Sequence, residues 1–301
     1  MGIIYKFYEP DKDYEQIQAD LYNNAIGKYG TPGNATADQI KERYRVEGFD
    51  NKGVQYAFDD DKPIAYIQTR KVVETKQVYI GYPWSTPDCP EEVKDDMFKN
   101  MVNYLYTRDP EYKIVCGVIQ DSWTDVRDFL KKHNCTVENE FKTYFLDISN
   151  LSTLDNSGYT SKIGTSDDEE ALFELCMSEP GFSDTFPNEE AVKTFGKDVL
   201  KELEIILIYK NDELVSSGAV ISYEPDRNNI INTRFTATRD YKFEYWKAYV
   251  IEIAKILRKK GLDGMKFTLF DRQPEHLEFY DKYSSGFRTG FIYAVPKPLM
   301  L

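Results

Sequence analysis

An internal repeat limits most what this chain can fold into. One order of signals can be read in residues 1–150 and again in 158–301: strand, helix, helix, three strands, helix, strand, helix, strand. Between the halves lies ISNLSTLDNSGYT, at 148–160. It is polar, lacks any helical or strand period, and reads as the linker. Each half opens on a short strand, an acidic turn and an amphipathic helix. In the first helix Tyr14, Ile17 and Leu21 share a face, and in the second Ala171, Leu172, Leu175 and Cys176 do. Asp11 or Asp13, and Ser166 or Asp167, are placed to cap these helices. Second helices follow at 37–44 and 189–195, with Asp38 and Asn188 as starts.

Each half then alternates apolar and polar residues on both sides of an Asx turn, at 60–62 and at 211–212, which predicts a hairpin. Third strands are predicted at 76–82 and 230–238, followed by long helices at 90–106 and 243–260. Val93, Met97, Met101 and Leu105 form the stripe of one helix; Trp246, Val250, Ile253 and Leu257 form that of the other, with Gly261 as its stop. Strand, helix, strand closes each half. The expectation is an α/β (α+β) protein of two tandem domains, 1–150 and 158–301, each a mixed, mostly antiparallel sheet flanked by helices.

A length of 301 residues accommodates two domains of about 150 residues each. Lys plus Arg is 38 against 51 for Asp plus Glu, a net charge of −13. That balance disfavours a nucleic-acid backbone or an anionic membrane as partner and points to a cationic or neutral one. Four cysteines without a CxxC pair predict neither a disulfide framework nor a zinc site, and a reducing cytoplasm fits. His133 and His276 stand far apart in sequence, so no metal is expected. The run Asp59–Asp61 lacks the spaced carboxylates and glycine of a calcium loop and reads as a turn.

The repeated order, with DDDKPIAYIQ at 59–68, FTATRDYKFEYWKAYVIEIAKILRKKGL at 235–262 and FDRQPEHLEFYDKYSSGFR at 270–288, resembles the GNAT family of acyl-CoA-dependent N-acyltransferases in tandem form. The resemblance covers nearly the whole chain. It implies acetyl-CoA as co-substrate and, as acceptor, an amine of a small molecule or peptide. The family holds the coenzyme pyrophosphate on backbone N–H groups at the start of a helix, within Arg/Gln-x-x-Gly-x-Gly/Ala. That motif falls on Lys242, Phe243, Glu244, Tyr245, Trp246 and Lys247, after Ala237 on the preceding strand; these seven are the implied coenzyme-binding residues. Tyr245 and Lys247 stand where the family has glycine or alanine. The first half has PWSTPDCPEE at this place, with three prolines and no glycine, which implies a degenerate copy.

The family's closing helix ends in Tyr-x-x-x-Gly-Phe, and its Tyr protonates the departing thiolate. By motif position this is Tyr280, with Tyr283 as the second choice. The strand at 230–238 carries no carboxylate, so the base falls to Glu224 or Asp226 on the preceding turn, or to His276. His276, one turn from Tyr280, otherwise reads as a solvated surface residue, and His133 as a cap at a helix end. Trp84 and Trp123 occupy the places of the cradle and of the closing helix in the first half. The alternative is a catalytically inactive pseudo-acetyltransferase, a ligand sensor or protein-binding scaffold, favoured by the missing glycines. A transferase using aminoacyl-tRNA is a third reading, opposed by the net charge.

Overall fold

The computed structural model describes residues 2–297, except 11, 31–32, 47, 74, 181, 183–185, 187, 221–229 and 270–273. It divides into two compact units, Met1–Asn139 with Phe291–Leu301, and Glu140–Gly290. In the first half of the chain the elements are β1 (Ile3–Phe7), α1 (Tyr14–Gly27), α2 (Ala37–Tyr44), β2 (Val54–Asp59), β3 (Lys62–Val72), β4 (Gln77–Ile80), β5 (Trp84–Ser85), α3 (Glu91–Arg108), β6 (Lys113–Gln120), α4 (Thr124–Lys132) and β7 (Thr136–Asp147). The second half has α5 (Ile148–Leu151), β8 (Thr160–Ile163), α6 (Glu169–Ser178), α7 (Glu189–Glu202), β9 (Glu204–Lys210), β10 (Glu213–Val220), β11 (Ile230–Thr238), α8 (Phe243–Lys259), β12 (Gly264–Leu269), α9 (Pro274–Tyr283) and β13 (Ser284–Ala294).

The repeat is visible in the strand pairing. In the first unit β1, β2, β3 and β4 pair antiparallel in order, and β4 then pairs parallel with β6. In the second, β8, β9, β10 and β11 pair antiparallel and β11 pairs parallel with β12. The predicted mixed, mostly antiparallel sheet with flanking helices is therefore the observed architecture. The closing segment of each half of the sequence belongs to the unit of the other half. Residues 142–147 of β7 pair with β12, where Tyr144 and Leu146 enter the second core. Residues 291–295 enter the first core instead, through Phe291, Tyr293 and Val295, and the Val295 N–H donates to the Ile114 carbonyl at 3.0 Å.

The second unit's core follows from period. Alternate residues of β9 point to opposite faces, and both faces are buried. Ile206 and Ile208 meet the stripe of α8, namely Trp246, Val250, Ile253 and Leu257. Ile205 and Leu207 meet Leu172, Leu175 and Val192 of α6 and α7. Gly218 on β10 is required by close approach, since a Cβ there would lie 2.2 Å from the Tyr249 ring.

Several local expectations shift. Asp13 takes the N-cap position of α1 but its side chain makes no capping bond, and Asp11 lies outside the described residues. Thr165 rather than Ser166 or Asp167 forms the capping box before α6, with Asp168. Thr36 rather than Asp38 caps α2, in a capping box with Gln39. These threonines precede acids that looked like caps by themselves; the reciprocal partner three residues on decides the position. Asn188 caps α7 as expected, accepting from the Ala191 N–H at 2.9 Å. The stretch read as a linker begins with the single turn of α5, whose Ile148 and Leu151 are buried. Asn211 and Asp212 both have positive φ, the geometry of a type I′ hairpin turn, and Gly261 ends α8 at φ 78°.

Candidate active site

The second unit opens where its two parallel strands part. β11 and β12 pair at Ile230–Gly264, Ile231–Met265 and Asn232–Lys266 and no further. The Thr233 hydroxyl donates to the Lys266 carbonyl at 2.8 Å at the point of parting. The register of β11 against β10 then shifts: Ser217 faces Ala237 and Gly218 faces Phe235, so Thr236 is the extra residue of a bulge. Bulges turn a strand away from its neighbour, and this one lies on the edge that leaves β12.

The chain next enters a turn, Arg239–Tyr241, in which Asp240 and Tyr241 both have positive φ, and then α8. No side chain caps α8. The Tyr245 and Trp246 N–H groups both donate to the Lys242 carbonyl, and that of Lys242 to Arg239, which leaves Phe243 and Glu244 without backbone acceptors among the described residues. A helix start of this kind presents donors and a positive dipole end. Lys242 is exposed, pairs with Asp240 at 3.1 Å and stands 5.4 Å from the Tyr245 ring. The carboxylate of Asp240 raises the Lys242 pKa, so it stays cationic. Lys210, from the end of β9, lies 5.3 Å from the rings of both Tyr245 and Tyr159. Sequence reading missed Lys210, because the hairpin of β9 and β10 carries it to α8 from more than thirty positions away.

The expected cradle residues separate by exposure. Lys242 and Glu244 are exposed; Phe243, Tyr245 and Lys247 are half-buried. Trp246 is buried in the core against Phe267, His276, Phe279 and Tyr280. Ala237 is buried beside Leu172 and Leu175. Any contact of these two with a ligand at the helix start would run through the backbone.

Tyr280 is fully buried on α9. Its ring stacks on Tyr144 at 4.8 Å, meets Trp246 edge-on at 4.6 Å and lies 5.9 Å from Phe267, one residue beyond the last position at which β12 pairs with β11. Its hydroxyl has no hydrogen-bond partner among the described residues, and burial holds its pKa well above the usual tyrosine value. A buried hydroxyl without a partner costs stability. Tyr283, the second choice, is half-buried and packs on Phe279.

His276 is a correction: it is 3% exposed, not solvated, with its ring 4.5 Å from Trp246. The four-residue spacing that puts it beside Tyr280 also turns it inward. Glu224 and Asp226 lie outside the described residues. The structure instead brings the Glu179 carboxylate, at the end of α6, to the Thr238 N–H at the end of β11. His133 ends α4 through its backbone N–H, but its ring bonds Asp95 at 2.8 Å rather than capping carbonyls, and burial lowers its pKa.

In the first unit the corresponding opening is filled. Trp84 and Trp123 meet at 5.5 Å; Tyr82 packs on Trp84 at 5.3 Å and Tyr29 stacks on Trp123 at 5.2 Å. Pro90 takes the N-cap position of α3, where its ring leaves no N–H. Aligning Phe129 of α4 with Phe279 of α9 puts Val126 and Leu130, both buried, where the second unit has His276 and Tyr280. The polar pair is thus peculiar to the second unit. All four cysteines are free and buried. Among the described residues no three His, Cys, Asp or Glu cluster as a metal site, and no helix is long and apolar enough to cross a membrane.

No protein-family model and no curated protein sequence matches the chain. Solved structures do. A GCN5-related N-acetyltransferase from Sphaerobacter thermophilus is 14% identical, with a TM-score of 0.72 over 98% of this chain and 96% of that one. A tandem GNAT protein from the clavulanic acid biosynthesis pathway is 10% identical, with a TM-score of 0.67 over 99% of this chain and 100% of that one. A glucosamine N-acetyltransferase region of a fungal multi-domain β-N-acetylglucosaminidase is 13% identical, with a TM-score of 0.72 over 97% of this chain but 38% of that one. The chain therefore has the fold of the GCN5-related N-acetyltransferases, and it has it along its whole length in the tandem form.

Proposed function

We propose that this protein is an N-acyltransferase that moves an acetyl group from acetyl-CoA to an amine, with the coenzyme site in the second unit. One observation carries the reading. The strands of that unit part beside a buried tyrosine hydroxyl without a partner, and the same strand leads to an uncapped helix start flanked by lysines. The first unit has aromatic rings and a proline at these places.

The residues present fit the coenzyme. The N–H groups of Phe243 and Glu244 would hold pyrophosphate oxygens, and the ammonium groups of Lys242 and Lys210 would offset their charge. Here lysine side chains take over part of what glycine gives by letting the backbone approach. Acetyl-CoA, when bound, supplies a thioester carbonyl open to attack by an amine. Tyr280 keeps a proton on Oη for the departing sulfur, since burial keeps the phenol neutral. The tyrosine and tryptophan rings around it exclude water. The first unit would hold no coenzyme.

Reversing charge at the cradle tests the placement. A ligand at 100 times its Kd stabilises by about 2.7 kcal/mol, a shift of several degrees in Tm. Lys242→Glu, at an exposed position, is expected to fold normally and to lose the shift that about 1 mM acetyl-CoA gives the parent protein. A shift kept intact in Lys242→Glu would move the coenzyme elsewhere. No shift in either protein would favour the pseudo-acetyltransferase, for which Tyr245 and Lys247 at the glycine positions are the supporting observation.

A further inference from the structure

Helices α8 and α9 cover one face of the second unit's sheet beside the parting strands. That face is closed: Tyr144, Leu146, Met265 and Phe267 lie under Trp246, Tyr249 and Tyr280 of α8 and α9. An acceptor therefore has to come from the other side. Strand alternation and the pairing of β7 with β12 put Thr143, Phe145, Lys266 and Thr268 on that side. The Thr143 and Thr268 hydroxyls meet at 3.0 Å. On β13, Arg288 belongs to the same face, with its guanidinium 5.3 Å from the Phe145 ring, while Phe287 turns the other way to Tyr144. Helices α6 and α7 pack on β9, β10 and β11, and Thr268 and Arg288 remain exposed.

Among the described residues, this face gathers cations. Phe145 has two cations beside it, Lys266 at 5.9 Å and Arg288 at 5.3 Å. Arg288 makes no ion pair among the described residues. Asp147, a carboxylate on the same face, is engaged by the Ser149 N–H at 2.8 Å and the Ser149 hydroxyl at 2.6 Å. Lys266 occupies the last position at which β12 pairs with β11, next to the parting. Local fields, not net charge, select a small ligand.

We infer that this face binds the acceptor, and that the acceptor is an amine carrying an anion, a carboxylate or a phosphate, held by Arg288. The inference rests on the acyltransferase reading above. A guanidinium receives either anion through two parallel hydrogen bonds. The amine nitrogen bonds to the acyl carbon as the carbon–sulfur bond breaks. The amine gives up one proton and the sulfur takes one, so the products are an N-acylated anion and free coenzyme A. This acceptor differs from the cationic or neutral one that the net charge of −13 suggests.

Calorimetric titration of the full chain with matched pairs tests it: L-phenylalanine against phenethylamine, and O-phosphoethanolamine against ethanolamine. The anionic member of at least one pair is expected to bind about tenfold tighter or better, as a hydrogen-bonded charge pair supplies. Preference in the first pair alone identifies a carboxylate, and in the second alone a phosphate. Arg288→Gln, at an exposed position, is expected to remove the preference, and Lys142→Ala, on the opposite face, to keep it. Equal or tighter binding of the uncharged-tail amines, no binding of any probe, or a preference that survives Arg288→Gln overturns the inference. If acetyl-CoA still raises Tm in that case, only the acceptor assignment fails; if it does not, the acyltransferase reading fails first.

Discussion

Tyr280→Phe is expected to lower kcat roughly 100-fold, the scale of a lost general acid, while leaving the protein as stable as before or slightly more so. The two effects are separable because of the geometry. The ring is the structural part: it stacks on Tyr144 and meets Trp246, and phenylalanine keeps both contacts. The hydroxyl is buried without a partner among the described residues, so its removal relieves a desolvation cost rather than breaking a bond. Steady-state kinetics and a thermal melt on the same preparation check this. Unchanged turnover would take Tyr280 out of the mechanism; a large fall in Tm would make its hydroxyl structural.

The pH dependence follows from the sign of the shift. Burial raises the Tyr280 pKa well above 10. The proton-donating form therefore persists to at least that pH, and the kcat profile is expected to show no alkaline fall from this group below about pH 10. The same sign governs stability. Ionisation costs the fold nothing below the unfolded value near 10, and stability falls as pH rises from there through the higher folded value.

Trp246→Ala is expected to cost about 3–5 kcal/mol, the range for an aromatic truncated in a core. Trp246 is 3% exposed and joins α8 to α9 through His276, Phe279 and Tyr280, and α8 to the sheet through Phe267. Its loss would loosen the surroundings of the Tyr280 hydroxyl and the start of α8 together. Denaturant unfolding is expected to show the second unit's transition moved to lower concentration, with acetyl-CoA binding weakened. Wild-type stability in this variant would mean that α9 is held by other contacts.

Much of the fold was legible because it is written in periods. The stripes of α3 and α8, the two Asx hairpins and the repeated order survive as observed elements, since burial of one face dictates each of them. The ends were not legible. Nothing local in FKTYFLDI or GFIYAVP says which core receives Tyr144 or Tyr293; that choice is made by pairing with strands distant in sequence. The site divides in the same way. The motif position of Tyr280 is local and places it beside the parting strands. Its neighbours are not local: His276 is buried by the fit of α9 on α8, Lys210 arrives on a hairpin, and Glu179 reaches Thr238 from the end of α6. Trp84 and Trp123, read only as matching positions of the first half, meet at 5.5 Å and fill its opening.

The central claim is a single coenzyme site at the start of α8, and calorimetric titration of the full chain with acetyl-CoA tests it most directly. One site per chain is expected, with binding lost in Lys242→Glu and kept in Trp84→Phe, which alters only the filled opening of the first unit. Two sites per chain, no binding at all, or binding indifferent to Lys242 would contradict it.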